Sequence, residues 1–371
     1  MKKVKKCIGC GIELQCIHPK ENGYIIAEKL ETGGDLYCER CYKIKHYGKY
    51  IPVVMDKDDY KAIVEKSLEN CKVAIAVLDI IEFEGSFDDE ILDILREIES
   101  IVVVNKLDIV PNDMHPSKVA DWVKKRLGEE GISPLDIAIV SSKNNYGING
   151  IYKKLKHFYP NGVKVLVLGA TNVGKSSIVN KLLGTKRITE SKYPGTTLKL
   201  VSNKIPMTNI EIVDTPGLIP DGRISDLVCE SCNLKIIPTS KLQNKIFKLG
   251  KDRMLLLERL LWIRVLNDDE LKPIFTMYTS PNIKYHETNM EKGLEIFSGK
   301  VQGREILDIP CEKCILQYKK NVMEKRKITV ETGEDLVFKG LGWLNVKRGP
   351  LYLEVYLPKE AETVIREAFI K

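Results

Sequence analysis

Residues 169–177, GATNVGKSS, have the Gly-x4-Gly-Lys-Ser form that cradles the phosphates of a nucleotide. Gly169 and Gly174 allow backbone N–H groups to wrap the phosphates, Lys175 reaches the terminal ones, and Ser176 offers a hydroxyl to Mg2+. Val173 and Ser177 belong to the same nucleotide-binding set. An apolar run, VKVLVL, precedes the loop and a helix-like run, GKSSIVNKLLG, opens from it, which is the context the motif requires. Downstream, IEIVDTPG (210–217) places Asp214 to hold Mg2+ through water and Gly217 to sense a γ-phosphate with its N–H. Alone, Asp-Thr-Pro-Gly could be an ordinary turn; behind a phosphate loop at this distance it reads as part of the site. Between them YPGTT (193–197) is expected to be a switch, with Thr196 and Thr197 on the nucleotide and Thr197 also on Mg2+. Catalysis is assigned to Lys175, Asn172, Thr197 and Gly217.

A second constellation, VVVNKLDIV (102–110), ends in the residues that read a guanine base. Asp108 can accept from both N1–H and N2–H of guanine, whereas adenine would leave a buried carboxylate facing an acceptor. Mismatches of that kind reject the wrong ligand by about 10^4 to 10^5, so GTP and GDP are expected rather than ATP. Asn105 would brace the loops, the stem of Lys106 would cover one ring face, and Lys143 the other. In SSK (141–143), Ser141 joins the set and the N–H of Ser142 is expected on guanine O6. The base-reading elements precede the phosphate loop, the Thr loop and Asp-Thr-Pro-Gly, so the motif order is that of a circularly permuted domain. The linker PNGV (160–163) would rejoin the usual chain ends.

Two residues bear on rate. Leu218 follows Gly217, where many GTPases place a water-orienting glutamine, so intrinsic hydrolysis should be slow. Asn172 could hold a monovalent cation, K+, against the phosphates; the alternative is an asparagine that merely fits the loop.

Cysteine supplies a third chemistry. Cys7-x2-Cys10 and Cys38-x2-Cys41 have the pair spacing of a four-thiolate Zn2+ site, in a segment (1 to about 47) that lacks a periodic apolar pattern and so an evident core of its own. A labile dithiol pair is the competing reading. Cys16, His18 and His46 are read as incidental, and Cys71 as a buried small side chain. Lys2, Lys3, Lys5, Lys6, Arg40, Lys43, Lys45, His46 and Lys49 would ring the knuckle with positive charge, suited to RNA phosphate or simply to solvent. Cys229-x2-Cys232 and Cys311-x2-Cys314 could form a second zinc site if the fold brings them together; regulatory disulfides or unrelated cysteines are the alternatives.

The elements that must position these residues are legible in the same sequence. KVAIAVLD (72–79), IVVVN (101–105), DIAIVSS (136–142) and VKVLVLG (163–169) read as buried parallel strands, alternating with helices such as 88–99 and 116–130. The fold class is therefore α/β, a circularly permuted P-loop GTPase domain over 51–219, with a zinc finger over 1–50 and a β-rich α+β domain over 220–371. With 43% hydrophobic and 29% charged residues and no apolar run near the roughly 20 residues that span a bilayer, membrane-protein classes are excluded. A net charge of +7 suits a polyanionic partner. No signal-peptide core follows the basic start, so a reducing cytoplasm is expected.

With its cysteine pairs, its permuted motif order and DLVFKGLGWLNV at 335–346, the chain resembles the YqeH family of circularly permuted ribosome-biogenesis GTPases along nearly its whole length. The resemblance implies a weak GTPase, stimulated by potassium and by ribosomal RNA or particles, that assists assembly of the small ribosomal subunit or its precursor. It also implies a C-terminal domain that binds RNA or protein. Asn172 stands where the family places its potassium-binding Asn, and Leu218 where the family replaces glutamine. The pairs Cys229/Cys232 and Cys311/Cys314 depart from that pattern, and metal there could simply staple the domain. The expected protein is a monomer. It acts either as an assembly GTPase or as a GTP-gated RNA-binding scaffold in which turnover is incidental; redox or metal sensing ranks below both.

Overall fold

The computed structural model describes residues 5–8, 12–19, 21–31, 36–39, 41–42, 57–111, 114–184, 201–268, 270, 272–298 and 307–370. The chain divides into two compact units: Met1–Asp108 with His115–Pro220, and Ile109–Met114 with Asp221–Lys371.

In the first unit, six strands form one sheet: β1 (Val73–Asp79), β2 (Ser100–Asn105), β3 (Asp136–Ile139), β4 (Val163–Leu168), β5 (Val201–Lys204) and β6 (Ile210–Asp214). Their spatial order is β3-β2-β1-β4-β6-β5, every neighbouring pair parallel except β5 with β6. Every residue of β1 and β2 is buried, which is why those segments are continuous apolar runs rather than alternating ones. Helices cover the sheet with apolar stripes at helical spacing. Asp89–Glu97 is capped by Asp88, whose side chain accepts from the Glu90 N–H, and buries Ile91, Leu92, Ile94 and Leu95. Pro116–Glu129 starts on a proline and buries Val119, Val123 and Leu127. Ile148–Phe158 buries Ile148, Ile151 and Leu155.

This strand order is that of a P-loop GTPase sheet, entered by the chain at a different point. The phosphate-loop strand β4 lies centrally between β1 and β6, yet it is fourth in the chain. The joint that replaces the usual ends is a turn after Ile148–Phe158. There Gly162 has φ +99°, its N–H donates to Tyr159 O at 3.1 Å, and a Cβ at that position would collide with Asn209. Val163 N–H then donates to Asn209 O at 3.1 Å, tying the joint to the β5–β6 turn.

The second unit contains two five-stranded sheets. Their strands are β7 (Gln243–Lys248), β8 (Arg253–Leu257), β9 (Leu261–Val265), β10 (Ile274–Thr279), β11 (Tyr285–Asn289), β12 (Met323–Val330), β13 (Glu334–Phe338), β14 (Gly342–Arg348), β15 (Leu351–Pro358) and β16 (Thr363–Glu367). The sheet orders are β16-β13-β14-β10-β7 and β11-β8-β9-β15-β12, with antiparallel pairing throughout. A shared core includes Phe275, Phe338, Leu344, Ile263 and Leu353. Glu258 is fully buried in the turn after β8, where its carboxylate accepts from the backbone N–H groups of Lys284 (2.9 Å), Asp308 (2.7 Å) and Ile309 (3.2 Å).

The N-terminal segment is not without a core, as its lack of periodicity suggested. Cys7, Leu14, Ile25, Cys38 and Cys41 form a small buried cluster. Three of these five residues are cysteines, so an apolar-periodicity reading could not register the cluster.

Candidate nucleotide site and thiolate clusters

The loops after β2, β3, β4 and β6 leave from the carboxyl ends of parallel strands on either side of β1, where open α/β sheets bind ligands. After β4, Gly169 passes so close to β1 that a Cβ would lie 2.6 Å from Val77 O. Asn172 and Gly174 follow with φ of +69° and +91°, and Lys175 begins the helix Lys175–Leu183. Left-handed residues at successive turns of a loop that opens a helix are the backbone pattern that binds phosphate.

Lys175 and Asp214 are both buried and lie together: the ammonium donates to Asp214 Oδ1 at 3.2 Å and also to Thr215 O. Burial pushes the Asp214 carboxyl above its usual range, while Lys175 pulls it back. Asp214 Oδ2 is buried with no hydrogen-bond partner among the described residues, an acceptor fit for water on Mg2+. The Asn172 side-chain oxygen is likewise buried and partnerless, which a loop-fitting asparagine does not require.

The Asp-Thr-Pro-Gly turn is stitched to the phosphate loop. Thr171 N–H donates to Leu218 O at 2.7 Å, Leu218 N–H to Gly169 O at 3.3 Å, and Gly217 packs on Thr171 so tightly that a Cβ would be 3.1 Å from Cγ2. Leu218 is only 2% exposed and contributes a hydrocarbon side chain, so it has no means of orienting water. Thr196 and Thr197 lie outside the described residues, as does Cys10.

At the base-reading end, Asn105 bridges three loops. Its Nδ2 donates to Val173 O at 2.8 Å in the phosphate loop and to Ser142 Oγ at 3.2 Å, while its Oδ1 accepts from Ser142 N–H at 2.9 Å. The Ser142 N–H expected on guanine O6 is thus engaged internally here, and a base would compete for it. Asp108 accepts from Ser141 Oγ at 2.6 Å and has the Lys143 ammonium 3.9 Å away, which fixes its plane and leaves other lone pairs for a base edge. Lys106, at φ +70°, pairs with Asp79, holding its stem in one place.

Asp79 is the positioning residue that motif reading missed. No local motif marks it: Asp79 and Asn105 end β1 and β2 and are brought side by side only by the register of the folded sheet.

Of the N-terminal thiols, Cys7, Cys38 and Cys41 have sulfurs within 4.8 Å of one another. Cys38 N–H donates to Cys7 Sγ at 3.2 Å and Cys41 N–H to Cys38 Sγ at 3.4 Å, contacts that stabilise thiolate charge and fit Zn2+. Cys16 and His18 are exposed and outside the group, and Cys71 is buried elsewhere. The sulfurs of Cys229, Cys232, Cys311 and Cys314 also converge within 4.8 Å.

Comparison with known proteins is consistent with this geometry. Residues 164–258 match the family model described as "50S ribosome-binding GTPase", and residues 272–369 the one described as "YqeH-like, C-terminal". "Uncharacterized protein YqeH" of Bacillus subtilis is 28% identical, covering 98% of this chain and 99% of that protein. "NO-associated protein 1, chloroplastic/mitochondrial" of Arabidopsis thaliana is 22% identical over 93% of this chain and 70% of that protein. "GTPase Der" of Caldanaerobacter subterraneus is 32% identical, over 45% of this chain and 39% of its own length.

Proposed function

We propose that the chain, whose residues 272–369 match the YqeH-like C-terminal model and which is 28% identical to YqeH of Bacillus subtilis along its length, is a YqeH-like circularly permuted GTPase of ribosome biogenesis that assists assembly of the small ribosomal subunit, binding rRNA or a precursor particle in a GTP-dependent way. One observation carries the nucleotide reading. Asn105, from the base loop, donates to Val173 O in the phosphate loop, so guanine and phosphate are read by a single braced unit although the chain makes its parts in reverse order.

When bound, Mg2+ supplies charge neutralisation across the β- and γ-phosphates. Ser176, Asp214 and Thr197 would hold it, consistent with the partnerless Asp214 Oδ2. Lys175, now shared between Asp214 and Thr215, transfers its donors to the phosphates as the nucleotide enters. Gly217 reads the γ-phosphate and Asn172 holds K+. With Leu218 in place of a water-positioning residue, intrinsic turnover is slow. Gly217 lies four residues before Asp221, where the second unit begins, so a γ-phosphate-dependent shift in that loop has a short covalent path to it.

Cys7, Cys38 and Cys41, with Cys10 as the proposed fourth ligand, would hold Zn2+ in the 1–50 segment, and exposed Lys5 and Lys6 suit RNA phosphate. Exposed Lys245 and Lys248 on edge strand β7, and Lys325 and Lys327 on edge strand β12, support the same role for 220–371. We place the protein in the cytoplasm as a monomer; among the described residues no helix is long and apolar enough to cross a membrane.

The test is GTP hydrolysis by the full chain in potassium and in sodium buffer, with and without small subunits or their precursors. Stimulation by potassium and by the particles is the expected result. Leu218 favours one second reading, a GTP-gated RNA scaffold, for which tight GTP binding without either stimulation would be decisive. A Ser176→Ala variant separates the two in cells: unfinished particles under the first, normal RNA binding under the second.

A further inference from the structure

Two short segments of the second unit repeat one local device. CESC at 229–232 and CEKC at 311–314 each place the first cysteine just before a short helix, Glu230–Ile236 and Glu312–Tyr318, and the second at its third position. The leading cysteines share one backbone conformation, φ −67° and ψ 162° for Cys229, φ −74° and ψ 170° for Cys311. Their carbonyls accept equivalent bonds: from Cys232 N–H at 3.0 Å and Asn233 N–H at 2.9 Å, and from Cys314 N–H at 3.0 Å and Ile315 N–H at 2.9 Å. The two turns face each other with their sulfurs inward.

The sulfur separations are 3.5 Å for Cys229–Cys311, 3.9 Å for Cys311–Cys314 and 3.7 Å for Cys232–Cys314. A tetrahedron of sulfurs each about 2.3 Å from a central ion has edges of about 3.8 Å. Disulfides need about 2.05 Å, far shorter than any of these. Cys232 and Cys314 are buried in the main core of the unit, with Cys229 and Cys311 half-buried at its margin. Cys311 N–H donates to Cys232 Sγ at 3.2 Å, and Ser231 Oγ lies 3.2 Å from Cys229 Sγ, hydrogen-bonding capacity that serves thiolates better than thiols. All four positions of the tetrahedron are cysteine, leaving none open for substrate, which is the pattern of a structural site.

We propose that Cys229, Cys232, Cys311 and Cys314 bind one zinc ion, a second structural site in the chain. It fastens the segment that opens the second unit, residues 221–236, to the helix Glu312–Tyr318 that precedes β12. The fastening adds to the ties that segment already makes, among them Ile224 N–H to Lys339 O at 2.9 Å, Glu362 N–H to Gly222 O at 2.9 Å, Ser280 Oγ to Lys235 O at 2.8 Å and the burial of Ile224 and Ile236 in the core.

Metal content of the purified full-length protein tests the proposal, beside Cys7→Ser/Cys38→Ser and Cys232→Ser/Cys314→Ser variants. The expected zinc content is about two per chain in the parent and about one in each variant. The second variant should keep GTP binding and become newly susceptible to protease within 221–236. Should it fail to fold, titration of the parent with a mercurial under native conditions replaces it, and release of two zinc ions per chain is expected. Three results would overturn the proposal: a single zinc abolished by the Cys7→Ser/Cys38→Ser change, recovery of the four distal cysteines as disulfides, or iron in place of zinc.

Discussion

At the scale of single residues, Asp108 and Asn172 give the sharpest tests. Asp108→Asn replaces one of the two oxygens that accept from guanine with an NH2 that opposes a guanine donor and removes the charge assisting the other bond; at about 1.5–3 kcal/mol per charge-assisted bond GTP affinity should fall about 10^2- to 10^4-fold. The new carboxamide can donate to a carbonyl at purine position 2, so xanthosine triphosphate should gain affinity in competition binding. Unchanged preference would sink the assigned base contact. If Asn172 holds the proposed cation, Asn172→Ala should bring hydrolysis rates in potassium and sodium buffer together while GDP binding persists, since its buried side-chain oxygen has no hydrogen-bond partner among the described residues. These residues were legible because loop motifs are local, their chemistry set by neighbours a few positions away. Asp79 was not, because its partnership with Lys106 exists only through the pairing of β1 and β2. The internal use of the Ser142 N–H was hidden for the same reason, since its acceptor on Asn105 is brought to it by the strand order.

At the scale of elements, strand identity was legible wherever burial is two-sided, as in β1 and β2, where apolar runs are unbroken. The second unit was legible only as β-rich; which strands share a sheet depends on long-range antiparallel pairing that no local pattern encodes. Its buried Glu258 illustrates this, since the three N–H groups it accepts from lie on segments distant in sequence. Glu258→Ala should leave those donors unsatisfied and lower the stability of the unit by about 3 kcal/mol, read from its thermal transition, with Glu258→Gln milder. In the first unit the joint at Gly162 carries a matching prediction. Gly162→Val forces a β-branched side chain to φ +99° against Asn209 and should cost about 1–3 kcal/mol, measured by melting with GDP bound. An unchanged transition would mean that the turn is not fixed as described.

At the scale of the whole molecule, the chain combines a P-loop sheet with two clusters of cysteines whose sulfurs converge within 4.8 Å. If the N-terminal cysteines bind the proposed zinc, its chelation should expose residues near 5–42 to protease while leaving GTP binding intact; loss of both together would contradict an independent knuckle. The motif order, read directly from the sequence, called for a circularly permuted domain, and the sheet order β3-β2-β1-β4-β6-β5, with the phosphate-loop strand central yet fourth in the chain, agrees with it, because a parallel sheet constrains which strands neighbour one another more than where the chain begins. That order also bears on synthesis. As the chain emerges from the ribosome, β1, β2 and β3 are complete while β1, every residue of it buried in the finished sheet, still lacks its partner β4. Until residues 163–168 arrive, the nascent protein carries an unpaired apolar edge at what will be the middle of its sheet, a hazard for association between neighbouring nascent chains. An unpermuted version of the same sheet would make its phosphate-loop strand first and expose a different edge, so permutation changes when the vulnerable surface appears without changing the fold that finally covers it.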